Sequence, residues 1–170
     1  MVYKASKYKA LQKMERIGRK MVKIIFVCHG NICRSPMAEF VLKDMVKKAG
    51  IQEQFEIASA ATSTEEIGNS VHRGTRERLR REGISTEGKT AVQLKKSDYG
   101  KYDYLIGMDE WNIRNMLRML GGDPEGKVYK LLSFTGSGRD VADPWYTGDF
   151  EATYQDITAG CEALLRQLGF

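Results

Sequence analysis

The stretch from Ile24 to Pro36 constrains this chain more than any other. An apolar, β-branched run, Ile24-Ile25-Phe26-Val27, stops at Cys28, and a helix opens only a few residues later. A short run of this kind, bounded by Gly30-Asn31, reads as a buried parallel strand. Ser35-Pro36 reads as an N-cap followed by proline at the first helical position. What lies between is a strand-to-helix turn, whose amides and positive helix end face into one cup, a ready site for a dianionic phosphate or sulfate. Cys28 belongs at the bottom of that cup. Helix N-termini and neighbouring cations favour the thiolate, the nucleophilic form of cysteine, and Arg34 supplies the cation. Its planar fork can hold two oxygens of a phosphoryl group while the sulfur lies in line with the leaving oxygen.

The rest of the chain alternates helical and strand-like segments. Met37, Ala38, Val41, Leu42 and Met45 recur at helical spacing, with Glu39/Lys43 and Asp44/Lys48 as opposed charge pairs and Gly50 as a stop. Phe55 to Ala60 alternates as a second strand. Val71 to Glu82 reads as a helix with Val71, Thr75 and Leu79 inward and Arg73, Arg76, Arg78, Arg80 and Arg81 mostly outward, a solvated basic face. Tyr102 to Met108 is a third strand, after which Asp109 caps a helix carrying Ile113, Met116, Leu117 and Leu120. Lys127 to Leu132 is a fourth strand. A last helix places Phe150, Tyr154, Ile157, Cys161, Leu164, Leu165 and Leu168 on one face, with Cys161 as a core residue. Alternating elements of this kind predict an α/β single domain, a doubly wound four-stranded parallel sheet with helices on both faces, flavodoxin-like. In such folds ligands sit outside the carboxyl ends of the strands, where Cys28 falls.

The net charge of +5 suggests nucleic acid until its position is considered. Residues 1 to 20 hold seven basic residues against Glu15 alone, which leaves 20 basic and 21 acidic residues in 21–170. The domain itself is not basic, so neither nucleic acid nor membrane is an expected partner. Residues 1–20 are expected to form a basic N-terminal extension, mobile or loosely docked, ahead of a domain over 21–170. There is no apolar run long enough for a transmembrane helix or signal peptide, and three cysteines form no disulfide framework. A cytoplasmic location is expected.

Cys28-His29-Gly30-Asn31-Ile32-Cys33-Arg34-Ser35-Pro36 closely resembles the signature of the low-molecular-weight protein tyrosine phosphatases, and Asp143-Pro144-Trp145 resembles their general-acid loop. The resemblance runs from about Met21 to Phe170. It implies hydrolysis of a phosphotyrosine protein or peptide through a cysteinyl-phosphate, with inorganic phosphate as product and no cofactor or metal. Cys28 is then the nucleophile, Arg34 the phosphate clamp and Asp143 the general acid. His29, Gly30, Asn31, Ile32, Cys33 and Ser35 complete the phosphate-binding loop, and Ser35 stabilises the thiolate. Ser59 braces the loop through Asn31, Asp109 stands behind it, and Glu65, Trp145 and Tyr146 form the substrate rim. The resemblance also implies that Cys33 can close a reversible disulfide with Cys28. Two departures stand out. Ser63-Thr64-Glu65-Glu66-Ile67-Gly68 puts Glu65 where many members have an aromatic, and the usual histidine and arginine past Gly83 are replaced around Gly88 and Val92.

Other chemistries fit less well. Cys28, His29 and Cys33 with a distant Cys161 or His72 lack the ligand spacing of a zinc site. A nucleotide-binding loop would need lysine and Ser/Thr after the glycine. Arsenate reductases of similar fold need two further cysteines, and beyond the loop there is only Cys161. Phosphoarginine phosphatases of the family usually carry threonine where Ile32 stands. A non-enzymatic phosphotyrosine-binding module would have no use for both Cys28 and Asp143.

Overall fold

The computed structural model describes residues 20–170, so the basic segment expected as a tail lies outside the described residues except for Lys20. Strands β1 (Val22–Cys28), β2 (Phe55–Ala61), β3 (Tyr104–Gly107) and β4 (Val128–Lys130) form one sheet. Their order is β2-β1-β3-β4, with every neighbouring pair parallel. Helices α1 (Arg34–Lys48), α2 (Arg73–Arg80), α3 (Asp98–Lys101), α4 (Glu110–Leu120), α5 (Pro144–Thr147) and α6 (Phe150–Gln167) complete the described chain. This is the doubly wound arrangement expected. The chain leaves β1 toward β2 on one side and β3 on the other, so the loop after Cys28 sits at the switch point where such sheets bind ligands.

The pleat of β1 sorts its side chains between two cores. Ile24, Phe26 and Cys28 face the layer built by α1 and α6, where Met37, Leu42, Ile157, Cys161 and Leu164 are buried. Ile25 and Val27 face the opposite layer with Leu105, Met116 and Leu120. The part of a strand buried on both faces must be apolar, which is why Ile24 to Cys28 reads as a continuous run after the half-buried Lys23.

Several boundaries differ from expectation; strand β3, expected over Tyr102 to Met108, covers only Tyr104–Gly107, because Tyr102 closes the short helix α3. Helix α1 begins at Arg34 with Cys33 as its cap, so Ser35 and Pro36 lie inside the first turn rather than at the cap. No side chain caps this end, which leaves its first amides facing the loop. Helix α2 starts at Arg73, because Ser70 pairs with Thr90 across a short antiparallel bridge and the His72 ring accepts from Gly74 N–H at 3.0 Å. Strand β4 stops at Lys130, where Leu131–Thr135 tightens into a 3-10 turn.

One arginine also turned inward. Arg78 is buried, its guanidinium 3.7 Å from the centroid of the Tyr154 ring and ion-paired to Glu82 and Glu151. It ties α2 to α6. Cys161 is fully buried, as its helical face required. Among the described residues no helix is long and apolar enough to cross a membrane.

Candidate active site

The loop between β1 and α1 closes over a cavity of about 200 Å³. Cys28, His29, Gly30, Ile32, Cys33 and Arg34 form its floor, Glu65 and Glu66 one wall, and Asp143, Trp145 and Tyr146 the other. All the rim and loop residues expected from the sequence therefore meet in one place, apart from Asn31, Ser35, Ser59 and Asp109, which stand behind the lining.

Cys28 ends β1 because the sheet ends there, its carbonyl accepting from Thr62 N–H at 2.9 Å. Its sulfur lies 3.0 Å from Ser35 Oγ and 3.4 Å from Ser35 N. Ser35 Oγ in turn accepts from Asn31 Nδ2 at 2.7 Å, and Ala60 O lies 3.5 Å away as an acceptor for the serine proton, which turns to the sulfur when Cys28 is a thiolate. Asn31 has φ 59°, the one described non-glycine residue in the left-handed region. Asparagine tolerates that conformation better than most residues, and here three bonds hold it. Its amide nitrogen also reaches Ser59 Oγ at 2.9 Å, and its amide oxygen accepts from Val92 N–H at 3.1 Å. Ser59 Oγ then donates to Glu39 Oε1 at 2.6 Å.

Glu39 was read from the sequence only as an i,i+4 partner of Lys43, and that pair forms. The carboxylate is nevertheless buried, and Lys89 Nζ neutralises it at 3.3 Å while also donating to Ser59 O at 2.9 Å. A buried carboxylate needs such a partner. The bracing of Asn31 thus ends in an ion pair. The contact from Val92 to Asn31 is made by a backbone amide, so it does not depend on the Val92 side chain.

Arg34 is almost wholly buried, with 3% of its side chain exposed. Its Nη1 donates to Asp109 Oδ2 at 2.7 Å and to Val141 O at 2.9 Å, and Nη2 donates to Asp143 Oδ2 at 3.3 Å. Burial opposes the charge, but the Cys28 sulfur, Asp109 and Asp143 outweigh it, so the guanidinium is held above its ordinary pKa. Asp109 does two jobs with two oxygens. Oδ1 accepts from Asn112 N at 2.7 Å and caps α4, while Asn112 Oδ1 accepts from Asp109 N in return. Asp143 likewise caps α5 through Trp145 N at 3.0 Å.

Cys33 is buried beside Cys28, and burial, then the Cys28 charge, push its thiol up to about 12. On the rim, His29 Nε2 and Glu65 Oε2 are 3.0 Å apart. Behind Trp145, His72 meets its ring edge-on at 5.7 Å and stacks on Phe150 at 5.2 Å.

Residues 23–169 match the family described as low molecular weight phosphotyrosine protein phosphatase. The low molecular weight protein-tyrosine-phosphatase YfkJ of Bacillus subtilis (strain 168) is 43% identical over 150 residues, 87% of this chain and 96% of its own length. The chain belongs to the low-molecular-weight protein tyrosine phosphatase family. PtpA of Staphylococcus aureus (strain MRSA252), of the same description, is 34% identical over 85% of this chain and 92% of its own. The crystal structure of YfkJ superposes with a TM-score of 0.86 at 42% identity, covering 89% of this chain and 97% of that one. A Drosophila arginine phosphatase structure superposes at 0.78 with 28% identity, covering 86% and 98%. Within this phosphatase, Glu66, Val141, Asn112, Glu39 and Lys89 are the site-associated residues that sequence reasoning missed. Only Glu66 carried a usable signal, as the neighbour of Glu65 in the same wall.

Proposed function

We propose that this phosphatase hydrolyses phosphotyrosine in proteins or peptides through a cysteinyl-phosphate intermediate. The observation that carries the reading is that Cys28 sulfur, the Arg34 guanidinium and the Asp143 carboxyl share one cavity floored by an uncapped helix end.

The chemistry follows from those contacts. The Cys28 thiolate attacks phosphorus, and the P–O bond to the tyrosine breaks as the S–P bond forms. Arg34 and the first amides of α1 stabilise the equatorial oxygens in the transition state. Asp143 donates its proton to the departing phenolate. Water then attacks the cysteinyl-phosphate, Asp143 takes its proton, and the thiolate leaves with Ser35 Oγ and N–H directed at it. Arg34 can serve without losing its place, because Asp109 and Val141 hold Nη1 at 2.7 and 2.9 Å. The contact to Asp143 is longer, 3.3 Å, and is the one a phosphate displaces first, which frees the acid for the leaving group. A vanadate complex in which Asp143 stayed on Arg34 and Asp109 had moved away would refute that order.

Ile32 at the cavity floor supports phosphotyrosine over phosphoarginine, since phosphoarginine phosphatases of the family usually carry threonine there. Phosphoproteins are the expected partners and inorganic phosphate the product. Three free, buried cysteines support a reducing compartment, the cytoplasm. Residues 1–20 are assigned as an extension to a phosphatase domain over 21–170. A panel of phosphotyrosine, phosphoserine and phosphoarginine peptides, with arsenate and thioredoxin as a further arm, tests the reading. Turnover confined to phosphotyrosine is expected, and preferential release of phosphate from phosphoarginine would overturn it.

A further inference from the structure

A second concavity, about 600 Å³, lies between α2 and the segment that follows it. Its floor is apolar, with Val71 buried and Ile84 half-buried. Arg76 and Arg80, one turn apart and exposed on α2, stand along one side. Among the described residues neither has an ion-pair partner. Their neighbours do: Arg73 pairs with Glu77, Arg78 with Glu82 and Glu151, and Arg81 with Glu151. On the opposite side Lys89 is already committed to Glu39, and Glu87 is the one carboxylate in the lining. The groove therefore offers two uncommitted guanidinium groups above an apolar floor.

A short piece of chain limits how far the near edge of the groove lies from the catalytic cavity. Glu66 lines the catalytic cavity and Ser70 lines the groove. Four residues span at most about 14 Å.

From this placement we propose that the groove docks an acidic segment of the phosphoprotein substrate, several residues away from the phosphotyrosine held at Cys28. The inference rests on the phosphatase reading above. Charge complementarity names the occupant. Carboxylates meet Arg76 and Arg80, and apolar stems cover Val71 and Ile84. The same electrostatics sets the spacing. Acidic residues directly beside the phosphotyrosine meet Glu65 and Glu66 on the cavity wall and are disfavoured. Acidic residues about four to eight positions away clear that wall and reach the arginines, by the span just given. Docking of this kind acts on substrate capture and not on the chemical step, so it belongs in KM and not in kcat.

The test uses phosphotyrosine peptides carrying three glutamates, or three glutamines, either adjacent to the phosphotyrosine or five to seven residues from it, on each side. With the full chain, the distant glutamates should lower KM about two- to tenfold relative to glutamine on one side only, at unchanged kcat, the range two exposed charge pairs supply. The adjacent glutamates should not. Arg76→Ala/Arg80→Ala should abolish the difference while turnover of a small aryl phosphate stays unchanged. In a second arm, an unphosphorylated labelled peptide with the same glutamates is followed by fluorescence anisotropy in saturating inorganic phosphate. Binding that persists in phosphate and is lost in the arginine variant supports the groove. Equal KM for glutamate and glutamine at every offset overturns it, as does a preference that survives in the variant. Binding that phosphate displaces also overturns it, because the peptide is then in the catalytic cavity. If no phosphotyrosine substrate is turned over, the phosphatase reading fails, and the anisotropy arm decides the groove separately.

Discussion

Replacing Asp109 separates two effects that the wild-type residue combines. Its Oδ2 holds Arg34 at 2.7 Å and its Oδ1 caps α4 through Asn112 N at 2.7 Å. Asp109→Asn keeps a capping oxygen, since asparagine and aspartate cap about equally well, but removes the charge facing Arg34. A hydrogen bond to a charged group is worth about 1.5–3 kcal/mol. The lower part of that range applies here, because the carboxylate is 20% exposed and Arg34 keeps Val141 O and Asp143. Asp109→Ala loses the same bond and the cap, for a further cost of about 1 kcal/mol. In a domain of this size, 1 kcal/mol lowers Tm by about 2–4 °C. Asn should therefore cost roughly 3–8 °C and Ala roughly 2–4 °C more. The kinetics should follow a different pattern. Both variants let the Arg34 fork drift, and misplacement by an ångström costs about 10²-fold. Both should lose kcat/KM on an aryl phosphate to a similar extent, about 10- to 100-fold. Urea unfolding and steady-state kinetics on the three proteins decide it. Wild-type kinetics in Asp109→Asn with a large loss in Asp109→Ala would show that α4, and not the Arg34 contact, is what matters.

Three other substitutions give distinct readouts. Asp143→Ala should lower kcat on phosphotyrosine about 10²- to 10⁴-fold, with a visibly smaller loss on activated aryl phosphates that need no proton; equal losses, with first-step chemistry limiting both, would mean another group is the acid. Gly74→Ala drives a methyl into the Phe150 ring, a contact too close to keep, so the ring must give up its place against His72 or α2 and α6 must shift, at a cost of about 1–3 kcal/mol measured by urea midpoint; an unchanged midpoint would show that the ring moves freely. Cys33→Ser should remain active but lose thiol-reversible recovery after peroxide, because no disulfide then protects the Cys28 sulfenic acid. Burial, which pushes the Cys33 thiol up, should slow closure of the wild-type disulfide, and full recovery in the variant would refute the protective role.

The layered fold was legible because each of its elements carries its own signal. From Ile24 to Cys28, strand β1 is buried on both faces and reads as an unbroken apolar run. Helix α6 is buried on one face and puts Ile157, Cys161 and Leu164 at helical spacing. Element ends were less legible because tertiary contacts set them. Ser35-Pro36 is a good local start signal, yet α1 begins at Arg34, since the loop is tied down by Asn31 and the following turn inherits its geometry. The start of α2 depends on the Ser70/Thr90 bridge, formed by residues twenty apart, which no local pattern announces.

The residues that floor the cavity, Cys28 to Arg34, come together for a similar reason: they lie within one short stretch. What holds that stretch in shape does not. Glu39 lies on a helix, Ser59 on a strand and Lys89 in a loop, and each by itself reads as an ordinary residue of its element. Their meaning arises only when the fold buries Glu39 and forces it to find partners. The arginines of α2 make the same point in reverse. One alternation of sequence gave no reason to separate Arg78, which is buried against Tyr154, from Arg76 and Arg80, which face the groove. Position on the helix fixes which side each occupies, but only the packing of α6 turns one of those sides into an interior. Charge roles in this phosphatase are thus decided by the neighbouring element, and a substitution at Glu151 should change the behaviour of Arg78 and leave the groove arginines untouched.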